Sequence, residues 1–417
     1  MRATNKQRVR TCRPVHWMLL AALAPAVGCA ALPGAQPPAQ WVATWQASPQ
    51  LTELRNLPPA PGLPGTTLRQ RVHLSLGGSS MRIRLSNEFG DGRLEVGSAY
   101  VARSTGRDAQ DATTGSAITF EGRRSVEIPA GAFVWSDDVA MRTNDQADIA
   151  VSLYLATVPT GITGHPGSRT ASYIVPGNHA TDDNLPTAVL TEHWYFFSNV
   201  EVRRTLPSAV VAVLGNSIAD GRGSGTERNN RWPDNLARRL SGNGATRDVA
   251  VSNAGIGGNA VLRGGLGPPA MSRFDRDVLG QRGVRWVIIS EGVNDIGAAR
   301  GADAAAAVGA ELIESYQSLI DRAHARGVRA YGATILPFGG SQYGSAEHER
   351  ARVAVNRWVR EGGTFDAVID FDAVMRDPAA PDALRREFDS GDHLHPNEAG
   401  YAAMADEIDL RLFLAWK

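Results

Sequence analysis

The chain has 417 residues, 43% hydrophobic and 21% charged, and its 43 basic and 43 acidic residues give a formal net charge of zero. That length suffices for two domains of ordinary size, and that balance excludes a wholly disordered chain and a polytopic membrane protein. Lys6 and Lys417 are the only lysines and no basic run stands out in the body of the chain, so no nucleic-acid groove is expected.

Residues 1–16 carry Arg2, Lys6, Arg8, Arg10 and Arg13 and no acid, the apolar run 18–28 is too short to span a bilayer, and small residues surround Cys29. Basic region, apolar region and cleavage zone, in that order, make an export signal. Residues 1–29 are therefore predicted to be a signal peptide and the protein periplasmic or secreted, with no transmembrane span once mature. Cys12 and Cys29 both fall here, which leaves no internal disulfide. Ala26-Val27-Gly28-Cys29 resembles a bacterial lipobox, although Leu is usual where Ala26 stands. Two outcomes stay open: a lipid anchor at Cys29, or ordinary cleavage near Ala30 or Ala31.

Residues 30–40 are a Pro-rich tether. From residue 41 to 203 the pattern favours strands. Residues 71–76, 81–85, 126–128 and 149–155 alternate polar and apolar, the mark of one buried and one wet face. Gly77-Gly78, Asp91-Gly92 and Pro176-Gly177 punctuate the runs, and no helix is expected between them. The prediction is an all-β sandwich domain, jelly-roll-like. The aromatic-dense stretch Glu192–Val200 runs nearly into the second domain and suggests a packed boundary with it.

Character changes near Pro207. The apolar run 209–214 reads as a strand buried on both faces, with further candidates at 249–252, 284–290, 328–335 and 367–371. Helical spacing occupies 232–240, 304–326 and 346–360, and a closing helix is expected over 397–414. Strand–helix alternation over 204–417 predicts a parallel sheet with helices on both faces, whose ligands sit at the carboxyl ends of the strands.

Four run ends hold unusual residues. Gly215-Asn216-Ser217-Ile218 places Ser217 at a strand-to-helix turn, where a Ser is as readily a helix cap as a nucleophile. Asn253 to Asn259 is Gly-rich: a simple turn, or a place where a backbone N–H comes close to a ligand. Gly292-Val293-Asn294-Asp295 sets Asn294 at another strand end, able to donate into a cleft or to cap a helix. Asp392-His393-Leu394-His395-Pro396 spaces a carboxylate and an imidazole three residues apart. A Ser nucleophile needs a base, the base an orienting carboxylate, and a tetrahedral oxyanion needs donors. All are present at the ends of successive runs.

On these blocks, residues 208–413 resemble the SGNH, or GDSL-type, hydrolase family. The resemblance implies a flavodoxin-like three-layer α/β/α domain, with Ser217 as nucleophile, His395 as general base and acid, and Asp392 as its orienting partner. The Ser217 and Gly258 N–H groups and the Asn294 amide would form the oxyanion hole, and no cofactor is implied. Arg231-Trp232-Pro233, Arg273-Phe274-Asp275-Arg276-Asp277 and Ser390 to Pro396 resemble secreted bacterial esterases of a subgroup associated with xylan degradation, which also carry an N-terminal β-domain. One residue departs from the pattern: the family usually has Asp before the Ser, and here it is Asn216.

His393 and His395 with a nearby Asp could bind zinc, but the surrounding segments supply no further ligands, and pocket lining or a loop hydrogen bond is the plainer role. Trp135, Tyr154, Tyr173 and Trp194 are expected in core or interface rather than on sugar rings. The expected function is an exported serine esterase acting on acetyl or short acyl esters, small or on plant polysaccharide. Its rivals are a general arylesterase or lipase, and a carbohydrate-binding surface protein with an inactive hydrolase domain.

Overall fold

The structure, a computed structural model, describes residues 39–414. The expected signal peptide, both cysteines and the Pro-rich stretch up to residue 38 lie outside the described residues. Among those described, no helix is long and apolar enough to cross a membrane.

The first half is antiparallel. One sheet has the spatial order Gln40–Gln46, Phe197–Arg204, Met81–Ser86, Phe133–Trp135. A larger one runs Val189–Thr191, Ser172–Pro176, Thr66–His73, Asp148–Thr157, Leu94–Gly106, Ala109–Ile118, with Val126–Ile128 also paired to Leu94–Gly106. Alternate residues of each sheet turn inward and share one core. Ile83, Leu85, Val200 and Val202 meet Leu68, Val72, Val101, Val151 and Leu153 there, which makes the expected sandwich. A small third sheet joins Trp194–Tyr195, Thr163–His165 and Gln50–Leu51.

Two local expectations are corrected. The strand expected over 71–76 is Thr66–His73, because Ser75 leaves the ladder: its hydroxyl donates to Thr44 O at 2.7 Å. Leu76 then buries with Val42, Ala43, Val210 and Ala250. The aromatics of the stretch Glu192–Val200 pack in the sandwich's own core, with Trp194 edge-on to Trp45 at 4.9 Å, and it is Asn199 that reaches the second half.

The second half holds a five-stranded parallel sheet. In chain order its strands are Ala209–Gly215, Val249–Gly255, Val284–Ser290, Arg329–Ala333 and Ala367–Ile369, arranged second-first-third-fourth-fifth. This is the doubly wound flavodoxin-like order, whose crevice opens beside the first strand where the winding reverses. Trp232–Gly242 packs with Glu398–Glu407, and Ala302–His324 with Ala346–Glu361. Two boundaries differ from expectation. Asp370 accepts from Ala373 N–H and starts a helix at Phe371, which ends the fifth strand early. The closing helix stops at Glu407 because Ile408 is extended; a short 3₁₀ turn, Leu410–Phe413, then brings Phe413 edge-on to Trp286 at 5.4 Å.

Only four residues separate Phe197–Arg204 from Ala209–Gly215, and both regions belong to one compact unit, Pro37–Lys417. Val249–Gly255 is an edge strand, and an uncovered edge leaves backbone groups unpaired. The β-region covers it. Val251 N–H donates to Ser75 Oγ at 3.1 Å and Ser252 Oγ to Gln46 Oε1 at 2.6 Å. Alongside, Gln46 Nε2 donates to Asp277 O at 3.0 Å, Asn199 Nδ2 to Gln281 Oε1 at 2.9 Å and Ala43 N–H to Arg282 O at 2.9 Å. Residues 204–417 expressed alone are therefore expected to aggregate and to lack a cooperative thermal transition. A soluble fragment that melts cooperatively and matches the full chain across an ester panel would show that the covering is dispensable.

Candidate active site

The first parallel strand ends at Gly215. Asn216 caps the four-residue helix Ser217–Asp220, its Oδ1 accepting from Ile218 N–H at 3.0 Å, and Gly221 closes it at φ +90°. Gly215 has no room for a side chain, since a Cβ there would overlap Ala219. Ser217 thus emerges at the carboxyl edge of the sheet, as the first helical residue, whose N–H has no intrahelical acceptor.

Asp392 and His395 meet in a loop, not on a helical turn. Asp392 Oδ1 accepts from the backbone N–H groups of Leu394 at 3.1 Å and His395 at 2.9 Å. This folds the chain back so that Oδ2 reaches His395 Nδ1 at 2.7 Å. The carboxylate keeps the proton on Nδ1 and leaves Nε2 as an acceptor, 2.8 Å from Ser217 Oγ. Burial would raise the Asp392 pKa, but the His395 N–H, side chain and positive field hold it down to about 2. His395 is lowered below its ordinary 6.5: burial is the largest cause and outweighs Asp392, and the positive charges of Arg222 and Arg169 add to it.

Asn294 opens the short helix Val293–Ala298 after Gly292, which adopts φ +107°. A Cβ at Gly292 would press to 2.6 Å from the Tyr316 hydroxyl. Asn294 Nδ2 donates to Asn259 O at 2.7 Å, and its Oδ1 accepts from the Tyr343 hydroxyl at 3.2 Å. These contacts fix which way the amide faces and leave a second N–H on Nδ2. Gly258, at φ +73°, lies in the same loop as Asn259, and its N–H has no acceptor among the described residues.

The structure thus brings Ser217, His395 and Asp392 into one hydrogen-bonded line and ties Asn294 to the Gly258–Asn259 loop. It also reveals supports that spacing could not. Asp295 accepts from Val261 N–H and Leu262 N–H, both at 2.9 Å, and pins the far side of that loop. Arg273, wholly buried, donates to Gly215 O at 3.1 Å, Ala254 O at 2.6 Å and Asn259 Oδ1 at 2.8 Å. The Arg273–Asp277 motif was the available signal, but it carries no distance information. Asn216 explains itself through Glu291: its Nδ2 donates to Glu291 Oε2 at 3.2 Å, a bond that an Asp carboxylate at this position would not donate. Burial pushes Glu291 up to about 8 against the pull of Arg273.

His393 bonds to Asp389 Oδ2 at 2.6 Å through Nδ1 and is largely exposed, and no group of three candidate metal ligands occurs among the described residues. Trp194 and Tyr173 are buried, and Trp135 lies under the Arg82 guanidinium at 4.7 Å.

A hydroxyl facing an unprotonated imidazole nitrogen, with a carboxylate behind it and free N–H groups nearby, is equipped for acyl transfer. Three solved structures similar to this chain are a lipase/acylhydrolase from Enterococcus faecalis, a family two carbohydrate esterase from Cellvibrio japonicus and an acetyl xylan esterase from Geobacillus stearothermophilus. The first is 21% identical, covering 48% of this chain and 92% of its own, at TM-score 0.38. The second is 12% identical, covering 90% and 97%, at 0.35, and the third 19%, covering 48% and 94%, at 0.37. No curated protein matches the chain. Residues 213–403 match the model of the GDSL-like lipase/acylhydrolase family and contain Ser217, Gly258, Asn294, Asp392 and His395; this region is a GDSL-like lipase/acylhydrolase domain, and the protein is a carboxylic ester hydrolase.

Proposed function

We propose that the protein is an exported serine esterase that removes acetyl or other short acyl groups through an acyl-enzyme. The observation that carries this is the continuous line Ser217 Oγ, His395 Nε2, His395 Nδ1, Asp392 Oδ2, at 2.8 Å and 2.7 Å. Ser217 Oγ attacks the ester carbonyl carbon while its proton passes to His395 Nε2, and Asp392 stabilises the imidazolium that forms. The Ser217 and Gly258 N–H groups and the free N–H of Asn294 receive the oxyanion. As the tetrahedral species collapses, the alcohol leaves with the proton from His395. Water then repeats the sequence on the acyl-enzyme, giving the carboxylic acid and regenerating Ser217. Export rests on residues 1–29, and the choice of plant polysaccharide on the motifs at Arg231, Arg273 and Ser390.

Acetylated xylan, p-nitrophenyl acetate and a long-chain ester form the deciding panel. Preference for acetylated xylan supports the polysaccharide reading, whereas preference for the aryl or long-chain ester assigns a general arylesterase or lipase. Ser217→Ala and His395→Ala should each lower turnover by about a thousandfold or more while the fold is retained, since groups acting as one unit fail together. Near-normal turnover in either variant would remove the assignment.

Asn294→Ala is expected to lower kcat by about a hundredfold, with little change in KM, as for other oxyanion donors. A change confined to KM would make Asn294 a ground-state contact.

The base works as neutral imidazole, and its pKa is depressed below 6.5, so it stays active further into acid than an ordinary His. kcat/KM should therefore rise with pH along a limb centred below 6.5 and level off above it. Arg222 helps depress that pKa, so Arg222→Ala should move the limb to higher pH. A limb at or above the ordinary value in the unaltered protein, or one moved downward by the substitution, would contradict this electrostatic picture.

A further inference from the structure

The mechanism makes no use of a buried ionisable pair that crosses from the β-region into the hydrolase region. His165 ends the strand Thr163–His165, and Asp220 ends the short helix that Ser217 begins. His165 Nε2 lies 2.8 Å from Asp220 Oδ1, and the two side chains are 4% and 2% exposed. The other ring nitrogen, Nδ1, is 2.9 Å from Ser48 O, which only accepts, so Nδ1 donates there. The Nε2 contact then shares a second proton with the carboxylate. The remaining oxygen, Asp220 Oδ2, accepts from Gly257 N–H at 2.9 Å.

Gly257 precedes Gly258 in a loop whose conformation its glycines leave weakly determined; Gly258 sits at φ +73°. Asp295 and Asn294 hold this loop beyond Gly258, at Asn259, Val261 and Leu262, and Asp220 holds it before Gly258. An unanchored carboxylate at Asp220 could turn away from Gly257. His165 takes up its other oxygen, and Gly167 packs so closely that a Cβ there would overlap Oδ2.

We propose that His165 is a positioning residue for ester hydrolysis. Through Asp220 it fixes the Gly257 peptide, and with it the direction of the Gly258 N–H, so the β-region supplies part of the oxyanion site's rigidity. This rests on the reading of Ser217, Gly258 and Asn294 given above. An oxyanion donor contributes only if it already points where charge develops, so its loss of aim lowers kcat more than it weakens substrate binding.

The test uses the full chain with p-nitrophenyl acetate as substrate and phenylboronic acid as a tetrahedral analogue. His165→Ala is expected to lower kcat by about thirtyfold, leave KM within about twofold, and weaken phenylboronic acid by a factor close to that in kcat. His165→Gln, which can again donate to Asp220, should recover most of the loss, and Asp220→Ala should add little in the His165→Ala background. A folded His165→Ala protein that keeps kcat within about twofold and only melts earlier would overturn the proposal, because a purely stabilising contact behaves so. Equal impairment by Ala and Gln would overturn it too. If His165→Ala does not fold, Gly167→Ala carries the test by displacing the same carboxylate: lower kcat at unchanged KM supports the proposal, and unaltered kcat overturns it. Ser217→Ala and fluorophosphonate labelling of Ser217 run alongside. An active, unlabelled protein would remove the underlying site assignment, whereas an inert Ser217→Ala with an unimpaired His165→Ala would remove this proposal alone.

Discussion

A buried guanidinium is what the site is built around. The Arg273 side chain is fully enclosed, and its nitrogens reach carbonyl oxygens at the ends of two adjacent strands, Gly215 and Ala254, and the Asn259 amide oxygen beyond them. It also approaches Asp277 at 3.3 Å and Glu291 at 3.4 Å, the latter just past the third strand. These strand ends are where the chain turns toward Ser217, Gly258 and Asn294. A charge taken out of water is tolerated only when several partners replace the solvent, and removing one partner from such a cluster typically costs about 3–5 kcal/mol. The arrangement is therefore stiff: moving any one strand end strands the guanidinium.

The same reasoning extends to the contact between the two regions. It is mostly polar and hydrogen-bonded, through Gln46, Ser75, Asn199 and His165, with a small apolar cluster of Val42, Ala43, Leu76, Val210 and Ala250. Apolar contact alone would tolerate sliding. Paired buried donors and acceptors do not, because a shift leaves each of them unsatisfied. Docking thus sets a register and an orientation, and it is this register that lets His165, on the small third sheet, reach the Asp220 carboxylate beside the Ser217 turn.

What could be read from the chain was what is local. The run Ala209–Leu214 announces a doubly buried strand, the blocks at Ser217, Gly258 and Asn294 fall at strand ends while Asp392–Pro396 lies in the loop before the last helix, and the Trp232–Gly242 helix follows its spacing. What escaped depends on distance. Arg273 and Gly215, or His165 and Asp220, are 58 and 55 residues apart, and no periodicity encodes such a meeting. Local patterns misled where a tertiary contact redirected the backbone. Ser75 abandons the ladder for Thr44, although 71–76 alternates properly. The closing segment keeps apolar Leu410, Leu412 and Phe413 past Ile408, yet turns so that Phe413 can reach Trp286. The aromatic run is packed, as its composition implies, but against the sandwich core rather than the second domain, since composition reports burial and not what does the burying.

Electrostatics at His395 gives the β-region a second hold on the chemistry. Arg169 comes from the β-region and Arg222 from the loop after the Ser217 helix, and both disfavour a charged imidazole. In the proposed mechanism this alone would hinder catalysis, since imidazolium forms as Ser217 attacks. Asp392 resolves the conflict. Held down to about 2 by the His395 contacts and the Leu394 N–H, it stays ionised well into acid, and its carboxylate lies 2.7 Å from His395 Nδ1. The resting base is kept free of protons by burial and distant positive charge, and the transient cation is met by a near negative one. Because Coulomb energy falls with distance, the near carboxylate acts on the ring more strongly than either arginine, but burial outweighs it. Both effects bear on one equilibrium between neutral and protonated ring: burial and the arginines set its pKa below 6.5, and Asp392 keeps it from falling further, so the base rests neutral and its cation stays within reach.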